Sequence, residues 1–254
     1  MNEIKALALD IDGTITDSNR LLCISAIEII RKIENLGIPV ILVTGNTAVY
    51  TYALTTSIGT TGGVVGENGG VMFLEGYKNN ETIVFSDYSY VEKAYQHLKQ
   101  ELKDEYELIV VDDEYCRLSE IAFYRTMNAD IIREILKDWN IKVYDSGFAL
   151  HITDNQINKG VTLEKLAKIL DINPKNIMGI GDSENDLDFL DHVGMKIAVA
   201  NASQELKNKA DYVCTKPYGD GVVEAVEKFI LATLFAARSN CVKSNSRRSR
   251  KECK

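Results

Sequence analysis

The sequence has no apolar run long enough to cross a membrane: the longest late one, Phe229 to Ala237, falls far short of the roughly 20 residues a bilayer requires. Its start carries no basic stretch followed by an apolar one, so no export signal is expected. Cysteine is sparse and unpaired. Cys23, Cys116, Cys214, Cys241 and Cys253 are odd in number and scattered, without the close spacing of a zinc site, and a reducing cytoplasm suits them. Basic charge is scarce outside the end of the chain. The net charge is −8, yet the residues after Ala237 carry a local +6, which leaves −14 on the rest. A body this acidic is a poor candidate for wrapping nucleic acid, which needs a surplus of Lys and Arg; only the tail could serve that purpose.

What is present is ordinary for a globular protein: 254 residues, 45% hydrophobic and 26% charged, enough for one large core or two smaller ones. Ala6-Leu7-Ala8-Leu9 is an unbroken apolar run, which reads as a strand covered on both faces. Ile27, Ile30, Ile33 and Leu36 then recur at helical spacing until Gly37, and Pro39 to Val43 forms a second apolar strand ending at Thr44. Two runs around a polar turn at Lys78-Asn79-Asn80 predict a hairpin near 70–86. From 87 to 153 the character changes, with helices near 91–102 and 131–139 and strands near 121–124, 141–144 and 148–152, as in a separate small α+β unit. Alternation of strand and helix resumes after Lys159, with strands at 177–181, 197–199 and 212–214. The fold class expected is α/β: a Rossmann-like parallel sheet with helices on both faces, carrying a small insertion. Residues 238–254, whose only aliphatic side chain is Val242, read as a disordered tail.

The chemistry is concentrated at strand ends. Asp10-Ile11-Asp12-Gly13-Thr14 closes the first strand, and Gly13 permits a tight turn that bends both carboxylates toward one pocket. A calcium loop is a poor alternative, because Leu21 stands where its closing glutamate belongs. Gly181-Asp182-Ser183-Glu184-Asn185-Asp186 follows another apolar strand, with Asp182 and Asp186 spaced to face one cation from a first helical turn. Acids at two strand ends repel unless something cationic lies between them. A nicotinamide site is disfavoured, since Gly179-Ile180-Gly181 lacks the third glycine and the acid at 182 repels pyrophosphate. Thr44-Gly45-Asn46 offers a hydroxyl and bare N–H groups to a phosphate. Lys159 opens a helix, where a cation opposes the dipole. Taken singly, these last two also read as an ordinary N-cap and a surface lysine.

In order, the four elements resemble the haloacid dehalogenase superfamily, with its Asp-x-Asp-Gly-Thr, strand-end Ser or Thr, Lys, and Gly-Asp-x-x-x-Asp. The separations are 34 residues from Asp10 to Thr44, 115 from Thr44 to Lys159 and 23 from Lys159 to Asp182. The long middle gap resembles members whose α/β cap is inserted there. The resemblance thus implies a catalytic core over 1–86 and 154–233 and a cap over 87–153. It implies Asp10 as nucleophile and Asp12 as general acid and base. Thr44, Gly45, Lys159 and Asn185 would bind phosphate, and Asp10, Asp12, Asp182 and Asp186 would bind a metal. The ion expected is magnesium, because the donors are hard oxygens and the three histidines, His97, His151 and His192, lie outside the motifs. His151 reads as a surface or hinge residue. The small cap and Thr44-Gly45-Asn46 are most similar to archaeal-type phosphoglycolate phosphatases, so the expected reaction is hydrolysis of a small phosphate monoester. Arg117 and Arg125 are the candidate partners of a substrate carboxylate. Two other enzymatic outcomes, a sugar-phosphate phosphatase and a phosphomutase, use the same Asp10. A phospho-receiver without turnover fits less well, having no use for Asp12 or a cap.

Overall fold

The computed structural model describes residues 3–74, 81–103, 105–111 and 116–234; the expected hairpin turn at Lys78-Asn79-Asn80 and the tail at 238–254 lie outside these. The leading strand β1 (Ala6–Leu9) is buried at every residue, as its unbroken apolar run requires. It is followed by α1 (Ile24–Glu34), β2 (Val40–Val43), α2 (Ala48–Ile58), β3 (Val64–Gly66), β4 (Val71–Leu74) and β5 (Glu81–Val84). After an excursion the chain returns with α5 (Lys159–Ile169), β9 (Ile177–Gly181), α6 (Leu187–Leu190), β10 (Met195–Ala198), α7 (Gln204–Lys209), β11 (Tyr212–Val213) and α8 (Tyr218–Val226), which continues as a π-turn to Leu231.

These strands form one sheet in the order β11-β10-β9-β1-β2-β3-β4-β5, parallel up to β3 and antiparallel beyond it. Helix α1 packs on α8 and α2, while α5 packs on α6. From β1 the chain winds outward through β2 and β3, and later through β9, β10 and β11 in the opposite direction. The order therefore reverses between β1 and β9, and the crevice at such a switch point is where parallel sheets bind ligands. Register brings the strand ends level: Leu9 pairs with both Leu42 and Ile180, so Asp10, Thr44 and Asp182 emerge side by side.

The excursion is α3 (Tyr88–Leu102), β6 (Glu120–Tyr124), α4 (Ala129–Ile135), β7 (Ile141–Asp145) and β8 (Ala149–Asp154). Its strands form a separate antiparallel sheet, β6-β8-β7. This unit has its own apolar cluster, including Val91, Leu98, Phe123, Ile132 and Leu150, distinct from the cluster around the main sheet.

Two elements carry no clear sequence signal. Helix α2 reads Ala-Val-Tyr-Thr-Tyr-Ala-Leu-Thr-Thr-Ser-Ile, rich in β-branched and aromatic residues and without a polar face. It forms because Thr47 caps its start by accepting from Tyr50 N and Gly59 ends it at φ 90°. Strand β3 has only three residues and is recognised by pairing with β2 and β4 rather than by pattern.

Candidate active site

Asp10 is the first residue beyond β1, 5% exposed, with its N–H bonded to Ile180 O at 3.1 Å. Gly13 turns the chain immediately after it at φ 83°. A Cβ there would lie 2.3 Å from Asp182 Oδ2, so both conformation and space demand glycine. The turn lets β1 and β9 deliver their acids to one point: oxygen atoms of Asp10, Asp182 and Asp186 all lie within 4.8 Å of one another. Asp186 is the most tightly held. Its Oδ2 accepts from Asp182 N, Ser183 N and Ser183 Oγ, and its Oδ1 accepts from Lys159 Nζ at 2.8 Å.

Lys159 is no surface lysine. It is 3% exposed at the start of α5, and its Nζ also reaches Asp10 Oδ1 at 3.4 Å. Burial disfavours its charged form, but the carboxylates of Asp186 and Asp10 outweigh that and raise its pKa. Burial first, and Asp186 second, raise Asp10 well above the usual carboxylate range, with Lys159 opposing. The same two causes push Asp182 up to about 7. Three crowded acids against one ammonium leave a negative, oxygen-lined pocket, a donor set that fits a hard divalent cation.

Asp12 points elsewhere. Its carboxylate accepts from Asn46 Nδ2 at 2.7 Å and from Arg20 Nε at 3.0 Å, and it is not among the three clustered acids. Thr44 is buried and its Oγ1 accepts from Asn46 N and Nδ2, both at 3.1 Å. Gly45 lies against Asn68, where a Cβ would come within 2.9 Å of its Oδ1, and Gly45 O accepts from Arg117 Nη1 at 3.0 Å. Asn185 donates to Asp145 O of the smaller unit at 3.4 Å, so its amide bridges to that unit. Asp10, Asp12, Thr44, Gly45, Lys159, Asp182 and Asn185 line one cavity of about 1150 Å³ between the main sheet and the smaller unit, and Asp186 is not part of its lining.

Two predicted placements need correction. His151 is buried, 6% exposed, because its Nδ1 bonds Glu120 Oε1 at 2.9 Å in the cavity wall. Arg125 lies outside that lining, with its Nε held by Asp145 at 2.9 Å. Arg117 does reach the cavity, paired with Glu120. Burial opposes ionisation of Glu120, but His151 and Arg117 more than offset it and lower its pKa.

A bridge unseen in the sequence joins the two units. Glu67 and Asn68 both adopt positive φ after β3, and Gly69 follows at φ 100°. Glu67 Oε2 accepts from Leu118 N and Ser119 N at 2.9 Å and from Ser119 Oγ at 2.7 Å. Asn68 Nδ2 donates to Glu120 Oε2 at 2.9 Å. Gly69 presses on the turn before α5, where a Cβ would sit 2.3 Å from Asn158 O, and Thr162 Oγ1 donates to Gly69 O at 2.6 Å. A second bridge runs from Lys142 Nζ and Tyr144 Oη to Asp188, at 2.9 and 2.5 Å.

The profile of the haloacid dehalogenase-like hydrolases matches residues 7–125 and 77–226, spanning both units and every residue of the site. This chain belongs to that family. Among haloacid dehalogenase-like hydrolases it is 50% identical over 232 residues to a phosphoglycolate phosphatase of Methanobrevibacter smithii, covering 90% of this chain and 99% of the relative. It is 46% identical over 227 residues to the phosphoglycolate phosphatase of Methanothermobacter thermautotrophicus, at 89% and 99% coverage. A solved Thermoplasma acidophilum protein superposes with TM-score 0.80 at 28% identity, covering 90% of this chain and 99% of its own. A subclass IIB sugar phosphatase of the family shares the fold at TM-score 0.74 and 19% identity, with 89% and 98% coverage. Among the described residues no helix is long and apolar enough to cross a membrane.

Proposed function

We propose that this hydrolase is a magnesium-dependent phosphatase that converts 2-phosphoglycolate to glycolate and phosphate through a phosphoryl group carried on Asp10, with residues 87–153 acting as its cap. The observation that carries the reading is the placement of a buried Asp10 within 4.8 Å of Asp182 and Asp186 and 3.4 Å from Lys159 Nζ, at the switch point of the sheet. The names of the two archaeal relatives supply the substrate.

Asp10, Asp182 and Asp186 would hold the magnesium ion, while the carboxylate of Asp12, also expected from the sequence as a ligand, is turned to Asn46 and Arg20; when bound, the ion offsets the charge of the phosphoryl oxygens. Lys159 adds a fixed positive charge on the same side, and Thr44 with the Gly45 N–H cradles a phosphoryl oxygen. The Asp10 carboxylate attacks phosphorus in line with the leaving oxygen. Asp12, held by Asn46 and Arg20, donates a proton to the departing glycolate oxygen and later takes one from water. That water attacks the phosphorus of the Asp10 phosphate, releasing phosphate and restoring the carboxylate.

Rapid quenching should trap phosphate on Asp10, and a single turnover in oxygen-labelled water should label phosphate and leave Asp10 unlabelled. Absence of a phosphoenzyme, with substantial turnover by Asp10→Asn, would overturn the mechanism. The cavity volume favours a second reading, hydrolysis of a larger sugar phosphate. A turnover screen over small phosphates decides between them by the ranking of kcat/KM.

A further inference from the structure

We infer that Arg20, from the loop after β1 rather than from the cap, is the anchor that recognises the carboxylate of the substrate; this rests on the phosphoglycolate reading above. In 2-phosphoglycolate the carboxylate sits on the carbon that bears the bridging oxygen. The group that recognises it must therefore stand beside Asp12, which serves that oxygen. Arg20 is the cation that does so, with Nε 3.0 Å from Asp12 Oδ1 and Nη2 3.4 Å from both Asp12 Oδ2 and Asn46 Oδ1.

The other cations of the cavity wall are committed to acids of their own. Arg117 pairs with the fully buried Glu120, Lys142 with Asp188 and Arg133 with Asp130. Arg20 is paired as well, with Asp12, and like Arg133 it is half exposed; what sets it apart is that its acid is the one that serves the bridging oxygen. Its side chain is 56% exposed while lining the cavity, and its Nη1 meets no acceptor among the described residues. An open guanidinium edge matches a carboxylate in a way an ammonium does not.

The backbone supports the same role. Asp17 Oδ1 accepts from Asn19 N and Leu21 N, and this tight turn holds Arg20 at φ 62°, a left-handed conformation that disfavours a non-glycine residue. Glycine would suit the turn better, so what this position gains from arginine is its side chain. That side chain ends 5.8 Å from the ring centre of Phe148, on the β7–β8 turn of the cap. The ring face thus helps to hold the guanidinium in place at the cavity wall.

The test compares 2-phosphoglycolate with ethyl phosphate, which keeps the bridging oxygen and lacks the carboxylate, in the wild type, Arg20→Gln and Arg20→Lys. Arg20→Gln should lose about 50-fold more kcat/KM on 2-phosphoglycolate than on ethyl phosphate, mainly through KM, as expected for loss of a charge-assisted pair. Arg20→Lys should recover part of the difference. Glycolate should inhibit wild-type hydrolysis of ethyl phosphate competitively and lose that effect in Arg20→Gln. Equal losses on both substrates, or unchanged inhibition by glycolate, would make Arg20 only a positioner of Asp12 and overturn the proposal. A wild type that does not prefer 2-phosphoglycolate to ethyl phosphate refutes the substrate reading, and this proposal with it, before any substitution is made.

Discussion

Glu67 and Ser119, 52 positions apart and in different units of the fold, meet through two hydrogen bonds of 2.7 and 2.9 Å to one carboxylate oxygen. Burial, and then the nearby Glu120, raise the pKa of Glu67, so the contact is made by an acid held in an unfavourable place. Glu67→Gln puts an amide N–H where donors already point. It should cost about 2 kcal/mol in thermal unfolding, with faster amide exchange at Leu118 and Ser119. Unchanged exchange there would show that the bridge does not fasten the two units.

Asp182 and Asp186 should differ as metal ligands, because both oxygens of Asp186 are already engaged by Lys159 and by the 182–183 backbone. Asp182→Asn is expected to raise the magnesium concentration for half-maximal activity steeply. Asp186→Asn should raise it less but lower the melting temperature more. Titration of activity against magnesium, beside melting curves, distinguishes the two.

Protons and the cation compete for the same carboxylates. Asp182 sits at about 7 against its usual 3.8, so in the metal-free protein its stabilising contribution is complete below pH 3.8 and is lost as pH rises through about 7. Binding of a cation reverses the loss. Apparent magnesium affinity should rise by up to about tenfold per pH unit approaching pH 7 and then level off. Calorimetric titration across that range tests this, and a flat profile would place the ion away from Asp182.

Lys159→Met removes the ammonium that faces the buried acids Asp10 and Asp186. The variant should lose turnover and about 3–5 kcal/mol of stability, the cost of leaving buried charge unpaired. The stability loss should shrink on acidification, as Asp10 takes up a proton, and also on adding magnesium. Melting curves at two pH values with and without the ion check both effects.

The strand-end acids were legible because a parallel sheet delivers its ligands at strand ends, and β1 and β9 announce themselves as unbroken apolar runs. Lys159 was legible only through company: alone it looked like a surface residue, and its burial follows from Asp186, 27 positions away. Arg20 and Glu67 carried no signal of that kind. Each acts through a tight turn with positive φ followed by a contact from a distant element, and neither leaves a periodic trace. Helix α2 was hidden for a different reason, its composition favouring strand while its caps and packing impose a helix.

Two of the contacts between the main sheet and the 87–153 unit are unequal in strength. On one side Glu67 is fully buried and accepts three short hydrogen bonds. On the other, Lys142 and Asp188 remain 32% and 26% exposed, where water and salt compete for the pair. A body held by one firm edge and one soluble edge swings rather than lifts. If the 87–153 unit serves as the proposed cap, the Glu67 edge is expected to act as its pivot and the Lys142–Asp188 pair to part, so the rate at which glycolate escapes should quicken with ionic strength.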